Sequence, residues 1–345
     1  MPRLVQKGTL VWTVCAAVLA HWMLAGPSHA QDLGRSVYQR NSLYNRIFVY
    51  RRGSVVTLQF GQRRGVAMQS QVDMSDLRRH MFEYTALSFC GLLYKEEPKR
   101  LLVLGLGGGV IPREMRHYFP DLEIDVAEID PDIPPIAERF FGFRRDDKLK
   151  VHITDGRVFI RNRLREDPVR KYDLIILDAF NSDYIPFHLM TREFLREVQG
   201  LLADDGVVVA NVFYSDRLFE AELKTFLLVF GRCQTFFGAY STNAMIVALG
   251  PEARLLSAQE TANGAAALQS KHKFAFDLRA VARRLRPNTY PAPSAQVLTD
   301  DRAPVNWLRK QNTERTPDRS PERTGEDQPL QPGPDKERNR QSVAP

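Results

Sequence analysis

The chain has 345 residues, a formal net charge of +7, 43% hydrophobic and 26% charged residues, and three cysteines. These proportions are ordinary for a folded chain with a sizeable core, and they exclude a collagen-like chain, a wholly disordered chain and a disulfide-stapled miniprotein. The cysteines and histidines show no metal-binding spacing, and no basic run is interleaved with aromatic residues. We therefore predict no metal site and no nucleic-acid binding.

The first thirty residues have the pattern of an export signal. Arg3 and Lys7 precede an apolar run over 8–26, and residues 28–30 (Ser-His-Ala) supply the small-residue pattern that signal peptidase cleaves. We therefore predict a signal peptide over 1–30 and a periplasmic or secreted protein. The alternative is an uncleaved membrane anchor, since the 19 residues of the run just span a bilayer. Membrane contact is expected only in that case.

Residues 36–73 are predicted to form a small antiparallel β cap. Two apolar runs, over 47–50 and 55–60, flank a turn that contains a glycine, which is the pattern of a hairpin. A helix over 75–94 is predicted to join this cap to the rest of the chain. Ser75 is its expected N-cap, and its apolar residues recur at helical spacing.

The segment 74–250 alternates between strands and helices, which predicts an α/β domain with a doubly wound, mostly parallel sheet. The predicted strands lie over 100–105, 123–127, 150–153, 173–177, 206–212 and 244–249. The predicted helices between them lie over 111–117, 133–140, 157–165, 191–202 and 217–230. Cys90 falls in a helical run and Cys233 begins a strand, so the sequence allows either a disulfide between them or two free thiols.

The end of the chain changes in composition. Residues 251–310 are interpreted as a C-terminal helical extension of the α/β domain. Residues 311–345 contain six prolines, seven acidic and six basic residues, and two sizeable aliphatic side chains. Because such a segment buries too little apolar surface to offset the entropy lost on ordering, we predict a disordered tail over 311–345.

Chemically suitable side chains follow four consecutive predicted strands. A glycine-rich loop over 105–109 follows the first strand, where it allows close backbone approach to a ligand at a helix start. Glu128 ends the second strand, a position that commonly binds a ribose diol. Asp155 and Gly156 follow the third, suited to an adenine amino group, and Asp178 ends the fourth. The alternatives to ligand binding are purely structural roles: a helix N-cap for Asp155 and a solvated strand end for Glu128.

The order and spacing of these motifs resemble the spermidine synthase (polyamine aminopropyltransferase) superfamily over about residues 40–250. The matching segments are 44–49, 68–70, 105–114, 126–131, 154–156 and 172–178. The stretch 298–306 (Leu-Thr-Asp-Asp-Arg-Ala-Pro-Val-Asn) is also similar to a closing motif of bacterial spermidine-synthase-like proteins, which are often fused to membrane transporter segments.

The resemblance implies a sheet of the adenosylmethionine-dependent methyltransferase type, and transfer of an aminopropyl group from decarboxylated S-adenosylmethionine to a diamine or polyamine without a metal. It implies Asp178 as general base, because a carboxylate must accept the amine proton before attack. The implied cofactor-binding residues are Gln69, Gly105, Gly107, Gly109, Glu128, Asp155 and Gly156. The implied substrate-binding residues are Tyr84, Asn181 and Asp183. A homodimer is expected by the same resemblance.

Three positions depart from the family pattern. The family has an aspartate in the glycine-rich loop for the aminopropyl ammonium, a second aspartate three places after the base for the diamine, and a histidine on the substrate side. The aligned residues here are Gly108, Asn181 and Tyr84. Loss of a desolvated carboxylate partner to an ammonium costs ~2–5 kcal/mol. The acidic residues that we consider as substitutes are Asp183, Glu83, Asp300 and Asp301.

Two other functions fit the same residues. Gly108 favours a small-molecule methyltransferase that uses ordinary S-adenosylmethionine, because the missing aspartate is the one that attracts the aminopropyl nitrogen. The export signal and the neutral amine-binding positions favour a catalytically inactive, exported polyamine- or nucleoside-binding protein. The predicted export also conflicts with catalysis, since S-adenosylmethionine and its decarboxylated form are made in the cytosol.

Overall fold

Two β-sheets organise the chain in the computed structural model, which describes residues 32–61, 68–180, 185–215 and 217–304. The predicted signal peptide, Asn181, Asp183 and the predicted disordered tail lie outside the described residues. None of the helices in the described ranges combines the length and apolarity that crossing a bilayer requires.

The N-terminal sheet has four antiparallel strands in the order β1-β2-β3-β4. They are β1 (Arg35–Asn41), β2 (Arg46–Arg52), β3 (Val55–Phe60) and β4 (Met68–Asp73). Ile47 and Val49 alternate with less buried neighbours along β2, and Gly53 takes a positive φ of 62° in the turn to β3. The antiparallel β cap is thus confirmed. Strand β1 was not predicted, because its side chains are almost all exposed and show no apolar alternation.

The helix predicted over 75–94 is wrong in its first half. The structure has α1 (Glu83–Leu87), which continues as a 3-10 helix (Ser88–Leu93). Ser75 is not an N-cap: its backbone N–H and its hydroxyl both donate to Asp73 Oδ1, at 3.0 and 2.6 Å. This local turn supplies a hydrogen-bond acceptor to the backbone N–H of Ser75 in a non-helical conformation. The helix therefore begins about two turns later than predicted.

The main sheet has eight strands in the order β12-β10-β11-β9-β8-β5-β6-β7. Its strands are β5 (Arg100–Leu104), β6 (Glu123–Glu128), β7 (Leu149–Ile153), β8 (Tyr172–Leu177), β9 (Leu202–Phe213), β10 (Cys233–Phe237), β11 (Asn243–Leu249) and β12 (Leu285–Arg286). Strands β5 to β9 pair in parallel, whereas β10, β11 and β12 join antiparallel. The predicted doubly wound, mostly parallel sheet is confirmed, and its order reverses where β8 returns beside β5.

Helices cover both faces of the main sheet. They are α2 (Val110–Tyr118), α3 (Ile133–Phe140), α4 (Gly156–Arg163), α5 (Arg192–Leu201), α6 (Arg217–Phe230), α7 (Ala258–His272) and α8 (Leu278–Ala282). Strand β5 shows why both faces are apolar: Leu101 and Val103 belong to one core cluster, and Leu102 and Leu104 belong to the other. This period of two makes β5 a fully buried central strand.

The region after residue 250 contributes to both the sheet and the core. Helices α7 and α8 carry Leu268 and Leu278 into the core cluster that also holds the N-terminal sheet, and β12 pairs with β10. Cys90 and Cys233 are both free thiols, and burial raises the pKa of each. The structure therefore contains no disulfide between these two cysteines.

Candidate functional site

A cavity of about 510 Å³ lies between the two sheets, at the carboxyl ends of the parallel strands. The main sheet provides its floor through the residues that follow β5, β6, β7 and β8, and the N-terminal sheet provides one wall through β3 and β4. Ligands of doubly wound sheets bind at this edge, where the strand order reverses. The volume lies within the range of small-molecule sites.

The glycine-rich loop between β5 and α2 forms part of the floor. Gly105 and Gly107 line the cavity, and both take a positive φ, 94° and 52°. Gly109 also has a positive φ, 71°, but it is the N-cap of α2 and packs against Phe143 rather than lining the cavity. Gly108 N donates to Ser70 Oγ at 2.9 Å, so the N-terminal sheet holds the loop in place.

Glu128 ends β6 and is buried at the cavity wall. Its Oε2 accepts from Leu106 N and its Oε1 accepts from Asp130 N, each at 2.9 Å. Burial raises the pKa of Glu128, and these backbone donors oppose the rise. The carboxylate therefore links the loop after β5 to the loop after β6 while it faces the cavity. The alternative of a merely solvated strand end is wrong.

Asp155 serves as a helix cap and lines the cavity at the same time. Its Oδ1 accepts from the backbone N–H groups of Arg157 and Val158, at 2.9 and 3.0 Å, so it is the N-cap of α4. Its Oδ2 lies 2.9 Å from His188 Nε2, and this hydrogen bond lowers the pKa of Asp155. Gly156 lies beside it in the cavity wall. The two interpretations of Asp155 are thus compatible.

Asp178 follows β8 and faces the cavity beside the glycine-rich loop. Asn211 Nδ2 donates to Asp178 Oδ1 at 2.8 Å, and Asn211 Oδ1 accepts from Asn243 Nδ2 at 2.9 Å. Two hydrogen-bonded side-chain amides, one on β11 and one on β9, therefore connect β11 to the Asp178 carboxylate. Burial raises the pKa of Asp178 to about 7, and the Asn211 donor opposes the rise. A carboxyl group with this pKa exchanges a proton near neutral pH, as a general base must.

The remaining described residues of the predicted site line the cavity from elements that precede the main sheet. Gln69 lies on β4 and Tyr84 on α1, and both line the cavity. The Tyr84 hydroxyl donates to the Gln69 backbone oxygen at 3.0 Å. Burial raises the pKa of Tyr84, and the nearby Asp178 raises it further. The structure thus brings together every described residue of the predicted site except Gly109.

Three of the acidic residues considered as substitutes do not offer a free carboxylate to the cavity in the described structure. Glu83 lines the cavity, but its carboxylate accepts from the backbone N–H groups of residues 239, 240 and 241 and from the Ser241 hydroxyl. Asp300 pairs with Arg157 and does not line the cavity, and neither does Asp301. These three residues are therefore not substitutes for the missing aspartates.

The packing around Gly108 gives a steric reason why this position does not carry the aspartate of the family. A Cβ atom built at Gly108 would lie 2.9 Å from both the Phe141 ring and Ser70 Cβ. An acidic side chain at this position would therefore start toward packed side chains instead of toward the cavity. A glycine fits at position 108, because Phe141 and Ser70 occupy the space that a larger side chain needs.

Several residues of the site were not predicted. His188 is in the 3-10 helix Phe187–Leu189, and no motif marked it. Asn211 did carry a signal, because it is a polar residue inside the apolar run of β9 and is 2% exposed. Tyr44 and Tyr240 stand exposed at the cavity. Within the described ranges, no three His, Cys, Asp or Glu side chains are grouped as metal ligands would be.

The sequence of the chain is similar to that of known proteins. Residues 81–252 match the spermine/spermidine synthase domain. Over 286 residues, the chain is 36% identical to a polyamine aminopropyltransferase of Vibrio vulnificus (strain CMCP6), an alignment that covers 81% of this chain and 93% of that protein. The chain belongs to the spermidine synthase family. The resemblance seen in the sequence is thereby confirmed.

Two further similarities concern the fold and part of the sequence. A probable spermidine synthase from Corynebacterium glutamicum ATCC 13032 superimposes with a TM-score of 0.59 at 17% identity, covering 78% of this chain and 98% of that one, which shows a shared fold. The eEF1A lysine and N-terminal methyltransferase of Mus musculus is 38% identical over 130 residues, or 36% of this chain and 18% of that protein. The chain is therefore also similar in sequence to part of a methyltransferase.

Proposed function

We propose that this protein transfers an aminopropyl group from decarboxylated S-adenosylmethionine to an amine, with Asp178 as the general base. The observation that carries the proposal is the position of Asp178: a half-buried carboxyl with a pKa of about 7 that faces the cavity beside the glycine-rich loop. Family membership supplies the reaction class.

The described residues suit an adenosyl ligand. The loop glycines Gly105 and Gly107 present backbone without side chains to the cavity, and Glu128 supplies buried carboxylate oxygens for the ribose hydroxyls. Asp155 and Gly156 lie further along the same sheet edge, where they are assigned to the adenine. This order along the strands supports a ligand orientation in which the sulfonium end points toward Asp178.

The proposed reaction is a displacement at carbon. The amine nitrogen bonds to the aminopropyl carbon that carries the sulfonium, the carbon–sulfur bond breaks, and its electron pair stays on sulfur to give methylthioadenosine. Asp178 accepts a proton from the amine, because only the neutral amine has the lone pair that attacks. Asn211 holds one carboxylate oxygen at 2.8 Å, so the other oxygen is directed to the substrate.

Methyl transfer is the second candidate, and Gly108 favours it. No carboxylate at this position attracts an aminopropyl ammonium, and the Phe141 and Ser70 contacts keep the site closed to an acidic side chain. The sequence match to a methyltransferase over 130 residues points in the same direction. In this case ordinary S-adenosylmethionine is the donor, and Asp178 has the same role toward the acceptor.

One assay distinguishes these functions. The purified protein is incubated with decarboxylated S-adenosylmethionine and putrescine, cadaverine or spermidine, and separately with methyl-labelled S-adenosylmethionine and the same amines. We expect aminopropylated amine and methylthioadenosine, measured by mass spectrometry. Label transfer from S-adenosylmethionine alone would overturn the proposal in favour of methyl transfer. Binding of methylthioadenosine without either product would indicate the inactive binding protein.

The rate should depend on pH through Asp178. We expect kcat/KM to rise about tenfold per pH unit up to about pH 7 and then level, because Asp178 accepts a proton only when ionised. Asn211→Leu removes the donor that lowers the pKa of Asp178. The rise of kcat/KM in this variant should therefore shift to higher pH. A profile that is flat between about pH 5 and pH 8 would contradict the role of Asp178.

The compartment is a separate proposal. The N-terminal pattern supports export to the periplasm, with a membrane anchor as the alternative form. The mature N-terminus, determined by mass spectrometry on the fractionated protein, tests it. An intact N-terminus on a protein of the cytosolic fraction would refute export and remove the conflict with a cytosolic donor.

A further inference from the structure

The motif near the end of the described chain is built into the α/β domain. We call residues 298–302 the closing segment. Leu298 is fully buried; its N–H donates to Thr225 Oγ1 at 3.0 Å, and its carbonyl accepts from Arg192 N at 2.8 Å. Asp300 N donates to Glu193 Oε2 at 2.9 Å. The closing segment is therefore fixed on the start of α5 and on α6.

Asp300 forms the charged contact of this segment. Its two carboxylate oxygens accept from Nη1 and Nη2 of Arg157, each at 2.8 Å, and Oδ1 also accepts from Thr191 Oγ1 at 2.6 Å. Glu197 binds Arg157 in the same two-bond manner, at 2.9 Å for each bond. The Arg157 side chain is only 8% exposed, so the two carboxylates hold it in one orientation.

Arg157 connects this charged contact to the cavity. Its Nη1 donates to the carbonyl of His188 at 3.3 Å, and its backbone N–H donates to Asp155 Oδ1 at 2.9 Å. His188 and Asp155, which are hydrogen-bonded to each other, both line the cavity. One guanidinium therefore contacts the closing segment, while the same residue contacts both members of the His188–Asp155 pair.

We propose that Asp300 is a positioning residue for the adenosyl end of the cavity, acting through Arg157 to hold His188 against Asp155. The proposal rests on the proposed function in one respect, that an adenosyl ligand binds beside Asp155. It gives the closing segment a role in ligand affinity, although Asp300 itself does not line the cavity.

The test is calorimetric titration of the full chain with methylthioadenosine. We expect Asp300→Asn to weaken binding about tenfold, because the variant replaces one of the two carboxylates that bind the Arg157 guanidinium with a neutral amide. Glu197 still pairs with Arg157 in this variant, so folding should survive, which thermal unfolding without ligand checks. Asp301→Asn is the matched control, since Asp301 is exposed and its side chain has no hydrogen bond or ion pair within the described ranges. It should change affinity less than about twofold.

A double-mutant cycle separates positioning from general stability. In a His188→Ala background, Asp300→Asn should cause little further loss, because the His188–Asp155 hydrogen bond that Asp300 helps to position is already absent. Asp300→Glu, which keeps a carboxylate, should recover part of the affinity. Equal affinities for Asp300→Asn and Asp301→Asn would overturn the inference, as would an undiminished loss in the His188→Ala background. Absence of methylthioadenosine binding by the unaltered chain would instead refute the proposed function.

Discussion

Replacing Asp178 with asparagine should reduce kcat about a thousandfold and leave methylthioadenosine affinity within a few-fold of the original. Asparagine keeps the shape of the side chain and still accepts from Asn211, so the cavity is preserved. It has no basic oxygen that can accept a proton, and the amine therefore stays protonated and cannot attack. The pH dependence below about pH 7 should disappear from the residual rate.

Steady-state rates and calorimetry on the same preparation measure both parts of this prediction. Asp204→Asn serves as the control, because Asp204 is an exposed acidic residue on β9, outside the cavity. Its rate should equal that of the unaltered chain. If Asp178→Asn retained more than about a tenth of kcat, another group would have to accept the proton, and Asp178 would be reduced to a ligand-binding role.

The main sheet was predictable because the residues of each strand form a recognisable local pattern. Continuous apolar runs such as 173–177 identify strands that are covered on both faces, and parallel strands bring their carboxyl ends to one edge. That geometry alone gathers Glu128, Asp155 and Asp178 around the cavity, although they are distant in sequence. The predicted cluster thus followed from the strand pattern and needed no knowledge of side-chain contacts.

The parts that were not predicted depend on contacts between distant segments. His188 has no local motif, and its place in the site results from the hydrogen bond to Asp155, 33 residues earlier. Glu83 was considered as an amine ligand, but the backbone N–H groups of a loop more than 150 residues away bind its carboxylate. Local sequence spacing contains no information on such long-range pairs.

Gly108 illustrates a different limit. Alignment identifies the missing carboxylate, and it suggests that an aspartate placed there would restore the ammonium site. The direction of the Cβ atom depends on how the loop packs against Phe141 and Ser70, which belong to a different loop and a different sheet. A position that aligns with a functional residue is thus not in itself a position from which that residue would reach the ligand.

The largest expected structural effect is that of Gly105→Ala, which should lower the free energy of unfolding by about 3 kcal/mol or more. Gly105 has a φ of 94°, and an added Cβ would overlap the backbone oxygen of Asp178 and lie 3.0 Å from its carbonyl carbon. Backbone atoms of a paired strand end cannot rotate away as a side chain does. Urea unfolding followed by circular dichroism measures the loss.

Gly231→Ala separates the two causes of this effect. Gly231 also has a positive φ, 72°, but an added Cβ there meets no atom within 4 Å, so only the backbone strain of about 1 kcal/mol should appear. The excess loss in Gly105→Ala then measures the close approach of β5 and β8 at the point where the sheet order reverses. Equal losses in the two variants would show that this approach is not tight.

The same substitution should affect catalysis beyond its effect on stability. To relieve the overlap, the chain after β8 must move away from the loop, and Asp178 moves with it. A displacement of about 1 Å in a catalytic group costs roughly a hundredfold in rate. We therefore expect kcat to fall by about that factor at temperatures where Gly105→Ala is still folded, whereas Gly231→Ala keeps its rate. We therefore expect this glycine to be required, because the proposed base Asp178 and the glycine-rich loop share one contact.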